Sequence, residues 1–512
     1  MRITRKMRRI EKQLSEILLN IGMLIVTGTC WGDEGKGKIV DLLSKYFKVS
    51  VRFSGGAGAG HTLVTPDNAK IIGHLIPCGI ARRIMCVLAR GVFFDLRRFV
   101  DERRKANKAL KGKLPRIAID HMSPLWTPWH QLFEAWVEYA LRGGRIQTTG
   151  KAIGPLEGLF KLRVGLLVGH LFLSEKELRR HLQQLYRVLK PDFDAMVAAK
   201  IIRRKDIPLP KHVADEFMKL APKIKDCVTD TAFLLSEEWK KGTRIIFEAA
   251  QAPGLDPRAG TWPFVSAGNS TAAGAPIGTL LPLAAFAKAV VVSVAKVLPT
   301  RVGAGPFPSE IWDRIKSELF ALRNKKLFRN TRARIDFLAE KRERINAGVA
   351  SQDEWAQYFQ VLGYELGATT GRGRSIGWMD LQWLSYANRV NGTRYLALTR
   401  LDMLSGLKQV PVVVGYRHKG RRVKFGAMPP PLELDQIEPI IEMWDCWKED
   451  ISGCSTWNDL PAAAKRFIWR IERALGVPVL LIGTGPGRDA IIVRESAIRR
   501  RITRTPIKAK AA

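Results

Sequence analysis

The sequence predicts an α/β protein: a large central, mostly parallel β-sheet flanked by helices, with a P-loop-like phosphate loop and a helical subdomain. Two observations carry that reading. Residues 23–29 are a β-rich apolar run ending in a glycine-rich turn, and residues 38–45 follow with helical spacing, so strand, phosphate loop and helix come in succession. Short apolar runs recur at 49–53, 244–247, 290–294, 395–399, 410–414 and 479–482, most of them separated by helical-length segments. Such alternation lays strands parallel and places ligands beyond their carboxyl ends.

With 512 residues, 46% of them hydrophobic, the chain has material for a substantial core. Residues 1–22 are rich in Arg and Lys but lack the apolar core of roughly 7 to 15 residues that a secretory signal needs. Two readings of them compete, a transit-like amphipathic helix and a basic extension ahead of a domain that starts at Met23. Glu11 and Glu16 favour the extension. The longest apolar stretch, 279–299, is interrupted by Lys288 and Lys296, which argues for a buried helix followed by a strand rather than a membrane span. The six cysteines show no CxxC pair and read as reduced core residues of a cytoplasmic protein. A formal charge of +36 favours phosphate-rich partners, yet the cations are dispersed and no nucleic-acid motif accompanies them. Nonspecific nucleic-acid affinity is the most that follows. Residues 174–241 read as a helical subdomain, 312–360 as a charged insertion and 499–512 as a basic tail.

The segment with most chemistry is Gly28-Thr-Cys-Trp-Gly-Asp-Glu-Gly-Lys-Gly-Lys38. Gly32, Gly35 and Gly37 let backbone approach a polyphosphate, Lys36 supplies a cation, and the next helix offers its amides. It departs from a Walker A loop, with Cys30 where glycine and Gly37 where Ser or Thr would stand. Asp33 and Glu34 repel phosphate unless one binds Mg²⁺ or removes a proton, so acid-base work is implied.

Trp-Gly-Asp-Glu-Gly-Lys-Gly-Lys followed by Ile-Val-Asp-Leu-Leu resembles the signature of adenylosuccinate synthetases, and Gly55-Gly-Ala-Gly-Ala-Gly-His61-Thr resembles their second motif. Thr148-Thr-Gly150, Phe247-Glu-Ala-Ala-Gln251, Gly260-Thr-Trp-Pro263, Thr300 to Pro308, Gly367 to Arg372, Thr399-Arg-Leu-Asp402 and Thr484-Gly-Pro486 follow in family order. The likeness spans residues 23–495 and implies one catalytic domain over 23–498 that ligates L-aspartate to IMP with GTP, through a 6-phosphoryl-IMP intermediate.

The resemblance implies roles residue by residue. Asp33 would deprotonate the purine, His61 would assist the phosphoryl group, Lys36 would neutralise phosphate charge and Gln251 would hold O6. Gly32, Gly35, Lys36, Gly37, Arg374, Arg400, Asp402, Gly483 and Gly485 would meet GTP, with Asp402 reading guanine. Thr148, Thr149, Gln251, Ser266 and Arg372 would meet IMP; Thr369, Thr370, Arg372 and Arg374 would meet aspartate. Mg²⁺ would bind GTP oxygens, Asp33 and the Gly60 carbonyl. Family members work as homodimers. Without the motif, Asp33 is a turn or cap residue, His61 structural, Gln251 a buried hydrogen-bonding residue, Arg372 and Arg374 solvated, and Asp402 a helix cap.

The pattern departs in places. The family's second-motif Asn is Gly58, which forgoes a hydrogen bond of about 1 to 3 kcal/mol in one state. The guanine-stacking lysine is Arg400, a serine of the second guanine loop is Gly483, and one arginine of the substrate loop is Gly373. The partner-subunit arginine has no clear counterpart, Lys161 being the nearest cation. Two other functions stay open: a 2-aminoadenylosuccinate synthetase acting on dGMP, against which Asp33 argues, and a noncatalytic basic polyanion-binding paralogue, motivated by the charge and Gly58. A dinucleotide dehydrogenase is weaker, because residues 56–60 lack the third glycine at its spacing.

Overall fold

The computed structural model describes residues 5–58, 60–64, 70–141, 146, 148–301, 303–366 and 373–499. Among these, ten strands make the main sheet. They are β1 (Met23–Gly28), β2 (Val49–Arg52), β3 (Met85–Leu88), β4 (Ile117–Asp120), β5 (Val228–Thr229), β6 (Ile245–Glu248), β7 (Val290–Lys296), β8 (Tyr395–Thr399), β9 (Val479–Gly483) and β10 (Ile491–Val493). Their spatial order is β10-β9-β8-β7-β1-β6-β2-β3-β4-β5. All neighbours run parallel except β10 against β9.

β1 sits at the centre, with Val26 opposite Glu248 of β6 and Val292 of β7. All six of its residues are buried, because helices cover both faces, and this is why it reads as a continuous apolar run rather than an alternating one. Leu24 and Val26 enter one apolar cluster while Met23 and Ile25 enter another, as the two-residue period of a strand requires. The apolar run at 410–414 belongs elsewhere. It lies in a strand, Gln409–His418, that pairs antiparallel with Ile437–Asp445 in a separate sheet.

Helix α1 (Arg5–Leu18) lies within the basic N-terminal segment and packs on the domain. Ile10, Leu14 and Leu18 recur on one face, are at most 1% exposed and join the main core. Its cations tie it down as well: Lys6 Nζ donates to the Cys454 carbonyl at 2.9 Å and Arg9 Nη2 to that of Ser455 at 2.8 Å. Helix α2 (Lys36–Ser44) follows β1, and α3 (Pro128–Ala140) precedes the helical region of α4 (Glu175–Ala198), α5 (Pro210–Leu220) and α6 (Thr231–Lys240).

The expected surface insertion at 312–360 divides in two. α7 (Arg314–Arg323) and α8 (Thr331–Asn346) bury little beyond Ser317 and Ile345, whereas α9 (Gln352–Gly363) buries Ala356, Tyr358, Phe359 and Val361 in the second core. α10 (Leu381–Asn391) then docks on the phosphate loop: Trp383 stacks on Trp31 with ring centroids 4.4 Å apart, and its indole donates to the Thr29 carbonyl at 2.9 Å. No described helix is long and apolar enough to cross a membrane. All six cysteines are free.

One histidine makes the fold pH-sensitive. The Thr127 amide donates to Nδ1 of fully buried His130 at 2.9 Å, closing the first turn of α3, so the ring must be neutral. Burial pushes its pKa down to about 4. Below about pH 6.5 the unfolded chain binds a proton that the folded one refuses, so stability falls between about pH 6.5 and 4, by up to about 3 kcal/mol. His130→Asn keeps an acceptor without titrating, and its denaturant midpoint is expected to fall less than that of wild type across this window.

Candidate active site

Six strands that are neighbours in the sheet, β9, β8, β7, β1, β6 and β2, end along one edge. The sequence motifs follow directly from those ends: Gly483 and Gly485 from β9, Arg400 and Asp402 from β8, the phosphate loop from β1, Gln251 from β6, and the second glycine motif from β2. Residues scattered over more than four hundred positions of sequence are thus drawn to one line by parallel pairing.

The phosphate loop is shaped by Glu34, which is 1% exposed. Its Oε1 accepts from the amides of Cys30 at 3.0 Å and Gly32 at 2.9 Å, and its Oε2 lies 2.7 Å from Lys36 Nζ. Burial opposes the charge, but Lys36 and the loop amides outweigh it and hold the carboxyl below its usual range. Glu34 is therefore a brace, not the second acid-base group that its position in the loop suggests. Lys36, expected on a phosphate, carries Glu34 as its partner. A Cβ on Gly28 would fall 2.6 Å from the Glu34 carboxylate, so glycine is required there. Gly32, Asp33 and Gly35 all have positive φ, 94°, 59° and 90°, which turns the Asp33 side chain outward, 35% exposed.

Asp33 Oδ2 is 2.8 Å from Arg374 Nε, and the same guanidinium reaches Glu365 Oε2 at 3.0 Å. Glu365 Oε1 in turn lies 2.6 Å from Lys296 Nζ at the end of β7. Burial works against the Arg374 charge, and the two carboxylates overcome it and raise its pKa. Sequence reading gave Lys296 and Glu365 no role. Their signal was faint: a lysine closing an apolar strand and a glutamate just ahead of the Gly367 motif.

On the β8 and β9 side, Lys38 Nζ donates to the Gly485 carbonyl at 2.8 Å and the Ala490 carbonyl at 3.0 Å, joining the helix after the phosphate loop to the loop after β9. Burial pulls the Lys38 pKa down to about 8, against the pull of Asp402. Asp402 Oδ1 is buried without a hydrogen-bond partner among the described residues, and burial raises its pKa. Arg400, at φ 63°, donates to the Gly363 carbonyl at 3.1 Å. A Cβ on Gly483 would stand 3.2 Å from Thr399 Cα, which explains how closely the two loops approach.

On the other side, the second glycine motif is wedged between neighbours. A Cβ would meet Ala250 Cβ at 2.3 Å from Gly55, Ile153 Cδ1 at 2.7 Å from Gly56 and Thr149 Oγ1 at 3.0 Å from Gly58. That brings the segment of Gln251 and the segment of Thr148 and Thr149 to the same loop. Gln251 Oε1 accepts from Ser270 Oγ at 3.2 Å, Thr148 Oγ1 accepts from the Gly150 amide at 3.2 Å, and the Ser266 amide donates to Leu255. Gly37 lies in the first turn of α2, and Gly60 is exposed just before His61.

His61 Nδ1 is 3.8 Å from Glu248 Oε1, and its Nε2 is buried without a hydrogen-bond partner among the described residues. Burial lowers its pKa while Glu248 resists, which favours the neutral ring. Glu248 is itself fixed by Arg52 Nη1 at 2.6 Å, the Cys78 amide at 2.9 Å and the Cys78 thiol at 3.2 Å. The metal-binding atoms of His61, Cys78 and Glu248 lie within 4.8 Å of one another. Arg52 already neutralises the carboxylate, so Glu248 meets the histidine as one half of a buried ion pair. Thr369, Thr370 and Arg372 lie outside the described residues.

Comparison with known proteins gives one answer. Residues 25–492 match the family described as adenylosuccinate synthetase. The chain is 34% identical over 478 residues to the adenylosuccinate synthetase of Oleidesulfovibrio alaskensis, covering 92% of this chain and 99% of that one. It is also 34% identical over 478 residues to the chloroplastic adenylosuccinate synthetase of Chlamydomonas reinhardtii, covering 92% of each. A fully ligated adenylosuccinate synthetase from Plasmodium falciparum superposes with a TM-score of 0.75 at 28% identity, over 92% of this chain and 100% of that one. A cyanophage succinoaminodeoxyadenylate synthetase bound to dGMP and dATP shares the fold at 16% identity and TM-score 0.53, over 94% and 97%. The chain belongs to the adenylosuccinate synthetase family, the GTP-binding carbon-nitrogen ligases of AMP biosynthesis.

Proposed function

We propose that the protein ligates L-aspartate to IMP at the expense of GTP, giving adenylosuccinate, GDP and phosphate. The observation that carries this is the placement of Asp33 between two differently equipped ends of one sheet edge. On one side stand the half-buried His61 and Gln251; on the other, Asp402 has a buried carboxylate oxygen without a hydrogen-bond partner among the described residues. Guanine N1–H and the 2-amino group are donors that would satisfy that oxygen.

In this reading Asp33 takes the proton from N1 of the purine, so that O6 attacks the γ-phosphorus of GTP and GDP departs. Gln251 steadies O6, and His61, neutral and with Nε2 unengaged, hydrogen-bonds the transferred phosphoryl group. Lys36, drawn from Glu34 by a stronger anion, neutralises phosphate charge. The aspartate amine then adds at C6, phosphate leaves and the amine gives up its proton. The Asp33 carboxylate and the Gly60 carbonyl are the hard oxygen donors that suit Mg²⁺, which would supply charge compensation on the GTP oxygens. Thr148, Thr149, Ser266 and Arg372 are assigned to IMP, and Thr369, Thr370, Arg372 and Arg374 to aspartate. The presence of Asp33 favours IMP over dGMP.

A homodimer is the assembly we infer. Tyr139, Leu141 and Leu162 stand 44%, 42% and 67% exposed near the Thr148 segment, and a second copy would cover them. A cytoplasmic location accords with the free cysteines.

Purified protein with IMP, GTP, Mg²⁺ and aspartate is expected to form adenylosuccinate, followed by its absorbance, and dGMP in place of IMP is expected to give far less product. Asp33→Ala should lower kcat by about 10² to 10⁴ while leaving the fold intact, the range for loss of a general base. A folded wild-type protein that forms no product would end this reading. Glu34→Gln should behave differently: it strands the buried Lys36 charge, so a stability loss of about 3 to 5 kcal/mol is expected in a thermal or urea melt. Asp402→Asn should raise KM for GTP and restore turnover with xanthosine triphosphate, whose 2-oxo group accepts where guanine donates; unchanged GTP dependence would remove Asp402 from the base pocket.

A further inference from the structure

A surface helix ordinarily turns its apolar side inward, and α7 does the reverse. Its inward anchor is Ser317, fully buried and held by Gln360 of α9, which donates to its carbonyl at 2.8 Å and its hydroxyl at 2.7 Å. Phe320, on the same side, packs against Trp312 with ring centroids 5.4 Å apart. At 3.6 residues per turn, Ile315, Leu319 and Leu322 all fall within about 40° of the direction opposite Ser317. They are 61%, 45% and 55% exposed, so the apolar stripe faces away from the protein.

Cations frame the stripe. α7 ends at Arg323, and a short helical turn, Lys325–Arg329, follows it directly. Arg314 pairs with Glu318, Lys316 with Asp353 and Arg332 with Asp336. Arg323, Lys325, Lys326 and Arg329 are exposed, and none of them has an ion-pair partner among the described residues. Residues 314–334 carry eight Lys or Arg against the single acid Glu318. What covers this face has to answer both features. A polynucleotide would meet the cations, but its phosphate backbone offers no apolar surface to the leucines. A second copy of α7 across a two-fold axis would cover the leucines only by setting the same four cations against their own images. The headgroup boundary of an anionic bilayer satisfies both, because basic side chains meet its charge while aliphatic ones enter the acyl region. α7 buries only Ser317, so it projects from the protein, and a deformable surface accepts a projecting helix without a preformed groove. The net charge of +36 draws the whole chain toward such a surface.

We propose that α7 and the Lys325–Arg329 turn form a peripheral docking site for anionic phospholipid. Ile315, Leu319 and Leu322 enter the headgroup boundary, and Arg323, Lys325, Lys326 and Arg329 meet the lipid phosphates. Such docking is reversible, since three aliphatic side chains on a helix of 10 residues lie at the interface without spanning it. None of these side chains belongs to the phosphate loop or to the strand ends of the candidate site, so the inference does not rest on the ligase reading.

Co-sedimentation of the full chain with lipid vesicles provides the test. Vesicles of phosphatidylcholine with roughly one-third phosphatidylglycerol are expected to carry the protein down, and vesicles of phosphatidylcholine alone are not. The double variant Leu319→Gln, Leu322→Gln keeps every charge and should lower the partition coefficient roughly tenfold or more. Lys325→Gln, Lys326→Gln keeps the stripe and should cause a fall of about the same size, together with a weaker dependence on salt. All four side chains are exposed, so both variants should melt with the wild type. Wild-type protein that stays in the supernatant overturns the proposal, and so does a leucine variant that binds like wild type, because the vesicles would then report only the general charge. If the leucine changes weaken binding to a labelled single-stranded RNA as much as to vesicles, or dissociate an oligomer in analytical ultracentrifugation, the face belongs to nucleic acid or to a second copy and the proposal is likewise overturned.

Discussion

The buried carboxylate of Glu34 is the constraint on which the site depends. A phosphate-binding loop needs its amides turned inward and its lysine available, and a flexible glycine-rich segment has no reason to adopt that shape alone. Here two amides and one ammonium converge on Glu34, which substitutes for the anion while the loop folds. Placing a charge at 1% exposure is costly unless every lone pair has a donor, and the loop supplies them. The consequences spread outward: Gly28 has no room for a side chain, Thr399 donates to the Glu34 carbonyl at 2.7 Å, and Asp33 is forced to positive φ with its carboxylate facing out. The one acid that remains accessible in the loop is the one assigned to proton transfer.

Much of the fold was legible because parallel strands buried on both faces advertise themselves as continuous apolar runs. The runs at 23–29, 244–247, 290–294, 395–399 and 479–482 are all central strands of the main sheet. The run at 410–414 has the same composition but pairs antiparallel in another sheet, and periodicity carries no information about the partner. The apolar face of α1, Ile10, Leu14 and Leu18, is masked in the sequence by Arg8, Arg9, Glu11 and Lys12 around its start, and Arg9 bonds a carbonyl group of a distant loop. α9 follows the charged α8 and carries Asp353 and Glu354 in its first turn, so in the sequence its buried aromatics read with the charged segment before it.

The site was legible wherever a motif fixed it in sequence, and illegible wherever a side chain acts from a distance. Asp33, Lys36, His61, Gln251 and Asp402 became candidates as members of local strings. Arg52, Cys78 and Glu248, which fix His61, come from three strands or turns and share no local pattern; only the register of β6 against β2, which sets Glu248 opposite Arg52, brings them together. The same holds for Lys296, Glu365 and Arg374. Ion pairs of this depth are nearly neutral for stability when complete and destabilising when half removed, so their presence near a site is better explained by the geometry they impose than by the energy they add.

The glycines at 58, 373 and 483 are not equivalent, and their neighbours show why. At Gly58 the nearest atom to an added Cβ is the Thr149 hydroxyl at 3.0 Å, which could rotate aside, so the position would tolerate a side chain at modest cost. At Gly483 the obstacle is Thr399 Cα at 3.2 Å, and at Gly373 it is the Glu318 amide nitrogen at 2.4 Å, both of them backbone. Backbone in a packed core does not move for one methyl group without shifting the element that carries it. Gly373 is therefore tied to the presence of α7, whose backbone leaves no room for a side chain there.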